Sequence, residues 1–143
     1  MPNIIHSLQI NAPADRVFPL VSTALGFAQW WSADVTEPGA GVVELGFFNR
    51  STIYTLQTIR IAAPHDAEWL CTTGKEWAGT KIIFKLEIAG AKTVLRFTHP
   101  DWKAETDYFV SCNTAWGGLM FRIRAAAEGK APGPLFQANG LAY

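Results

Sequence analysis

The sequence predicts an α+β domain: a curved, mainly antiparallel β-sheet of about six to seven strands wrapped around a long C-terminal helix, with two short helices after the first strand. Two observations carry this. Apolar residues alternate with period two in Ile4–Ile10, and from residue 33 to 99 the pattern is again one of strands punctuated by turn signals. After Pro100-Asp101-Trp102 the period changes to three- and four-residue steps over residues 104–128, as an amphipathic helix requires. Neither layer can bury its apolar face alone, so the economical arrangement lays the helix stripe across the dry face of the sheet. With 143 residues, the chain is expected to be a single domain over 1–143.

Each element has its own signal. Ile4, His6, Leu8 and Ile10 share one face of the first strand. Pro13 suits the first position of a helix over residues 16–22, with Asn11 or Ala12 near its cap. A second helical segment covers 23–30 and ends at Trp30-Trp31. Pro38-Gly39-Ala40-Gly41 marks a turn, followed by a strand over 42–48 with Val43, Leu45 and Phe47 on one side. Asn49-Arg50-Ser51 breaks the chain before the strand Thr52–Ala62, whose faces are both mixed; that pattern is compatible with a bulge and leaves the register open. Pro64-His65-Asp66 turns into a strand over 67–73, on which Trp69 and Cys71 share a face. Ile82, Phe84, Leu86 and Ile88 alternate with Lys81, Lys85 and Glu87 over 80–89. Gly90-Ala91 then closes a hairpin to Lys92–His99, where Leu95, Phe97 and His99 alternate with Val94, Arg96 and Thr98. In the final helix the apolar stripe is Phe109, Cys112, Trp116, Leu119/Met120, Ile123 and Ala127, with Gly129 as the C′ residue before Ala131-Pro-Gly-Pro.

Composition narrows function by exclusion. Twelve basic and twelve acidic residues cancel and form no basic stripe, so nucleic acid is not an expected partner. Cys71 and Cys112 lie far apart without CxxC or Cys/His spacing, which speaks against a metal site and for a reducing compartment. Met1-Pro-Asn-Ile-Ile-His lacks the charged and apolar regions of a signal peptide. No apolar run approaches the ~20 residues of a membrane span, so a cytoplasmic protein is expected. There is no GxSxG, HExxH, P-loop or GxGxxG, and no cofactor or catalytic set is expected. Six Trp, nine Phe and three Tyr are more aromatic surface than a core of this size needs, and the excess suggests a lined cavity.

Four stretches resemble the SRPBCC superfamily (START-like, helix-grip fold), and within it the branch named after the activator of the heat-shock-protein-90 ATPase. They are Ile10-Asn-Ala-Pro-Ala-Asp-Arg-Val-Phe, Trp30-Trp31, Glu76-Trp77-Ala-Gly-Thr, and Phe97-Thr-His-Pro-Asp-Trp102 leading to Cys112-Asn-Thr-Ala-Trp-Gly-Gly. The resemblance implies a ligand cavity between the terminal helix and the sheet. The residues proposed to line it are Trp31, Trp69, Trp77, Phe84, Phe97, Phe109, Trp116 and Met120. Taken singly, each aromatic serves as plain core just as well.

His99, at the inward end of its strand, is a candidate ligand contact or base, though such a histidine is more often bonded to its neighbours. Asn113, one residue off the helix stripe, offers a second polar contact. Gly117-Gly118 within the helix calls either for close approach of another backbone or for a kink beside the cavity. The expected function is binding of a small apolar, aromatic or lipid-like ligand. The alternatives are a cyclase- or hydrolase-like enzyme that pairs His99 with a carboxylate, or a co-chaperone-like module with a protein partner or a second copy of the chain.

Overall fold

In the computed structural model, residues 1–142 are described. The elements in chain order are β1 (Ile4–Ile10), α1 (Ala14–Ser22), α2 (Ala24–Phe27), β2 (Asp34–Gly39), β3 (Val42–Phe47), β4 (Thr52–Ala62), β5 (Asp66–Cys71), β6 (Lys81–Ala89), β7 (Lys92–His99), α3 (Asp107–Ala127), β8 (Phe136–Gln137) and β9 (Gly140–Leu141). The first seven strands form one antiparallel sheet in the order β1-β7-β6-β5-β4-β3-β2. β1 and β2 therefore sit at opposite edges, and α1 and α2 cross the sheet between them. α3 lies over the same face and packs on β1 and α1. The expected architecture is present, with all seven strands in a single sheet.

Sequence patterning explains the burial. Val43, Leu45 and Phe47 on β3, Trp69 and Cys71 on β5, Ile82, Phe84 and Leu86 on β6, and Leu95, Phe97 and His99 on β7 all face inward and are buried. Ile88 continues the β6 alternation but is 57% exposed, at the end of the strand where burial stops after Leu86. The mixed faces of β4 come from a bulge. Its register against β5 steps from Thr58↔Trp69 to Arg60↔Glu68 and leaves Ile59 without a partner.

The helix ends depart by a residue or a few from expectation. Pro13 is the N-cap of α1 rather than its first helical residue, and its carbonyl accepts from the Arg16 amide at 3.0 Å. α3 starts three residues later than the periodicity suggests, at Asp107, because the Thr106 hydroxyl caps it by accepting from the Phe109 amide at 3.2 Å. At its far end Gly129 takes φ +84°, Lys130 N–H reaches the Ala125 carbonyl at 2.9 Å, and Gly129 N–H reaches the Ala126 carbonyl at 3.1 Å. These are the paired bonds that close a helix on a left-handed residue. The stripe Phe109, Cys112, Trp116, Leu119, Met120, Ile123 and Ala127 is buried throughout.

Two elements are not delimited by the sequence pattern. β2 (Asp-Val-Thr-Glu-Pro-Gly) is an exposed edge strand whose Pro38 is tolerated there. The segment after α3 folds back over the helix. Leu135 and Phe136 amides donate to the Trp30 and Trp31 carbonyls at 3.1 and 3.0 Å. Arg122 fixes the rest, donating to the carbonyls of Pro132 (2.9 Å), Gly133 (2.7 Å) and Ala142.

Candidate functional site

The interior between α3 and the sheet is filled by one aromatic cluster. Phe27 and Trp30, from the α2 segment, enter it and pack on Phe84 at centroid distances of 6.4 and 6.2 Å. Trp31 lies 4.9 Å from Trp116, and Phe97 lies 4.2 Å from Trp116. Trp77 stacks on Tyr54 at 3.8 Å with the rings 5° from parallel. Trp69 uses its indole N–H on the Val21 carbonyl at 3.1 Å, tying β5 to α1.

The residues proposed for the cavity therefore part company. Trp31, Trp77 and Trp116 border an open chamber of about 50 Å³. Trp69, Phe84 and Phe97 are packed inside the cluster, and Phe109 and Met120 are buried on the α3 stripe; none of the five lines the chamber. Asn113 points to solvent and also stays outside it. The physical reason is the α2 segment: Phe27 and Trp30 occupy the volume that a bare sheet-plus-helix arrangement would leave empty.

The rest of the chamber wall comes from residues the sequence did not single out. They are Phe47, Phe48 and Thr52 at the β3–β4 hairpin, Tyr54 on β4, Tyr108, Cys112, Ala115 and Leu119 on α3, and Phe136 from the C-terminal segment. Phe48 was the available clue, a large apolar residue at the start of a turn. It is 58% exposed, and Phe48, Asn49 and Arg50 all take positive φ (52°, 54° and 65°), a costly run for non-glycine residues. Arg50 holds this turn by pairing with Asp34 at 2.7 Å and with Glu44. Phe136 packs edge-on against Phe47 and Phe48 at 5.0 and 5.9 Å and roofs the chamber.

The polar groups of the chamber cluster at one end. Tyr54 and Tyr108 share a short hydroxyl–hydroxyl hydrogen bond. Burial raises both phenols, Tyr54 far up and Tyr108 to about 12, so both stay protonated. Burial also raises the Cys112 thiol, an effect partly offset by the Trp77 N–H and the Tyr108 hydroxyl beside it. The Trp77 N–H itself has no hydrogen-bond acceptor of adequate geometry. Beyond the tyrosine pair lies an outer cleft of about 420 Å³ with Ser51, Ile53, Gly74, Lys75 and Glu76 on its walls.

His99 is fully buried and its ring is committed. Trp116 N–H donates to Nδ1 at 3.2 Å, and an indole only donates, so the ring proton sits on Nε2. Nε2–H is given to the Thr80 hydroxyl at 2.8 Å, which in turn donates to the Trp77 carbonyl at 2.6 Å. Burial pulls the ring down to about 3. Neither nitrogen is free for a ligand and neither meets a carboxylate, so the base considered at His99 is replaced by a structural imidazole. Cys71 and Cys112 are free and buried, and the described residues contain no His/Cys/Asp/Glu cluster suited to a metal. No helix among them is long and apolar enough to cross a membrane.

The seven-stranded sheet and the helix laid across it define a helix-grip fold, and solved structures share that arrangement. The chain is similar to the Aha1 dimer from Colwellia psychrerythraea, with 26% identity over 91% of this chain and 98% of that one and a TM-score of 0.80. It is also similar to CalU16 from Micromonospora echinospora (16%, 92% and 68%, TM-score 0.73) and to SSP2350 from Staphylococcus saprophyticus (16%, 90% and 93%, TM-score 0.70). The latter two show the fold alone, and together the three support the SRPBCC superfamily. No family model matches the chain, and no curated protein matches it in sequence.

Proposed function

We propose that the chain is a binding domain for a small apolar or aromatic molecule, admitted between α3 and the β3–β4 hairpin. The observation that carries this reading is the chamber beside Trp116, walled by Phe47, Phe48, Tyr54, Trp77 and Phe136 and opening past the exposed Phe48 ring. Its present size suits only the tip of a ligand, because pockets for whole small molecules run to roughly 300–1,000 Å³. The body of the ligand lies against the outer clefts that share Phe48, Tyr54, Tyr108, Ala115 and Phe136 with the chamber. Admission requires movement of Phe48 and Tyr108, the parts of the wall that face solvent. Native mass spectrometry of gently purified protein, with a thermal-shift screen of lipids and aromatic compounds, tests the reading. A retained mass or a stabilising aromatic supports it; a bare protein that responds to none of them overturns it.

A second reading, assembly with another copy of this chain, is favoured by one observation. α3 exposes Val110 and Phe121 and carries no charged residue between Asp107 and Arg122. The similar Colwellia psychrerythraea protein is a dimer. Sedimentation equilibrium tests it: a dimer that Phe121→Lys dissolves is expected, and a monomer at all concentrations contradicts it.

A further inference from the structure

We propose that the chamber selects, among apolar ligands, those carrying an uncharged carbonyl oxygen, which accepts a hydrogen bond from the Trp77 indole N–H with the Tyr54–Tyr108 hydroxyl pair beside it. This rests on the binding reading above and names the ligand class for that same site.

The argument begins with an unmet donor. Among the described residues, three buried side-chain nitrogens have no partner, His6 Nε2, Trp77 Nε1 and Trp102 Nε1, and of these residues only Trp77 lines the chamber. Trp77, in the turn between β5 and β6, is 4% exposed and is held by aromatic stacking against Tyr54 and Trp116. A buried N–H without an acceptor is costly in the free protein, so a ligand oxygen that reaches it gains a hydrogen bond at no further desolvation of the protein. Cys112, the nearest candidate in the chain, is a weak acceptor and stays a thiol.

The same wall excludes other chemistries. An anion would have to leave water for a chamber whose lining offers no cation, and in the outer cleft the charge of Lys75 is offset by Glu76. A ligand cation would have to leave water for an apolar chamber that holds no carboxylate. A ketone, aldehyde, ester or lactone meets neither penalty. The chamber of about 50 Å³ takes a group of acetyl size, with the attached ring left at the Phe48–Phe136 mouth.

Fluorescence titration with three matched probes separates the possibilities: 2-acetylnaphthalene, its hydrocarbon isostere 2-isopropenylnaphthalene, and 2-naphthoate. The ketone is expected to bind about tenfold tighter than the hydrocarbon, as one well-made hydrogen bond provides, and the carboxylate weakest. Within each variant the ratio of the two affinities is the readout: Trp77→Phe should bring the ketone close to the hydrocarbon, and Tyr108→Phe should narrow the gap between them. Because Tyr108 is at the surface edge, its variant remains informative if Trp77→Phe misfolds. In the folded wild-type protein, the Trp77 indole proton should move downfield in NMR spectra when the ketone is added. Equal binding of ketone and hydrocarbon, or an unmoved Trp77 resonance under saturating ketone, overturns the carbonyl preference while leaving the binding reading intact. If none of the three binds, both fall.

Discussion

The indole N–H of Trp116 donates to Nδ1 of His99 at 3.2 Å, and this one contact fixes the tautomer of a ring buried under the helix. It links α3 to β7, and through Thr80 it reaches the backbone at Trp77. The residue that looked most like a catalytic base is thereby a strut for the wall of the chamber.

That strut is acid-sensitive. His99 titrates near 3 when folded and near 6.5 when unfolded, so the unfolded state binds the extra proton first as pH falls. Its contribution is full above pH 6.5, declines below it, and is lost as pH approaches 3. Urea unfolding should therefore weaken by about 2–3 kcal/mol between pH 6.5 and 4.5 from this group, at roughly 1.4 kcal/mol per unit. His99→Gln should be less stable at pH 7 by about 1–3 kcal/mol and show a flatter profile across that interval. A variant with an undiminished slope would show that His99 is not the responsible group.

Two glycines of opposite meaning make a second test. A Cβ on Gly26 would strike the Pro19 carbonyl oxygen and lie 2.6 Å from Leu20 Cα, because α1 and α2 touch there backbone to backbone. Gly26→Ala should cost at least about 3 kcal/mol, the upper range of overpacking. Gly118 in α3 faces open space, and a Cβ on Gly117 would meet only His6 Cε1 at an ordinary 3.6 Å. Gly118→Ala should therefore stabilise by about 0.8–1 kcal/mol in chemical denaturation. A loss instead would mean that the helix needs glycine there for a contact outside the chain.

Arg122 anchors the roof. Arg122→Ala removes its donors from the Pro132, Gly133 and Ala142 carbonyls. The Leu135 and Phe136 amides, which bond to Trp30 and Trp31, should then exchange with deuterium at least tenfold faster. Core amides such as those of β6 should hardly change. Uniform acceleration everywhere would instead mark global destabilisation.

The sequence was most readable where one physical rule governed a whole element. The change of period after Trp102 announced α3 and its buried stripe, and strict alternation announced β6 and β7. β2 was not delimited because a solvent-exposed edge strand needs no apolar alternation. The chamber was legible in its location beside Trp116 but not in its membership. Tyr54, Phe48, Tyr108 and Phe136 come from a strand, a turn, a helix start and a tail that meet only in three dimensions. Trp69, Phe84 and Phe97 look the same in sequence as Trp31 and Trp77; what separates them is the volume taken by Phe27 and Trp30.

The central claim is that an apolar ligand enters beside Trp116, and Ala115 lines both the chamber and the adjoining groove. The direct measurement is a fluorescence titration of wild type and Ala115→Phe with 2-isopropenylnaphthalene, alongside circular dichroism to confirm that the variant is folded. Saturable one-to-one binding by wild type, weakened at least tenfold by the added phenyl ring, is the predicted result. No saturable binding by wild type, or equal affinity in the two proteins, would contradict it.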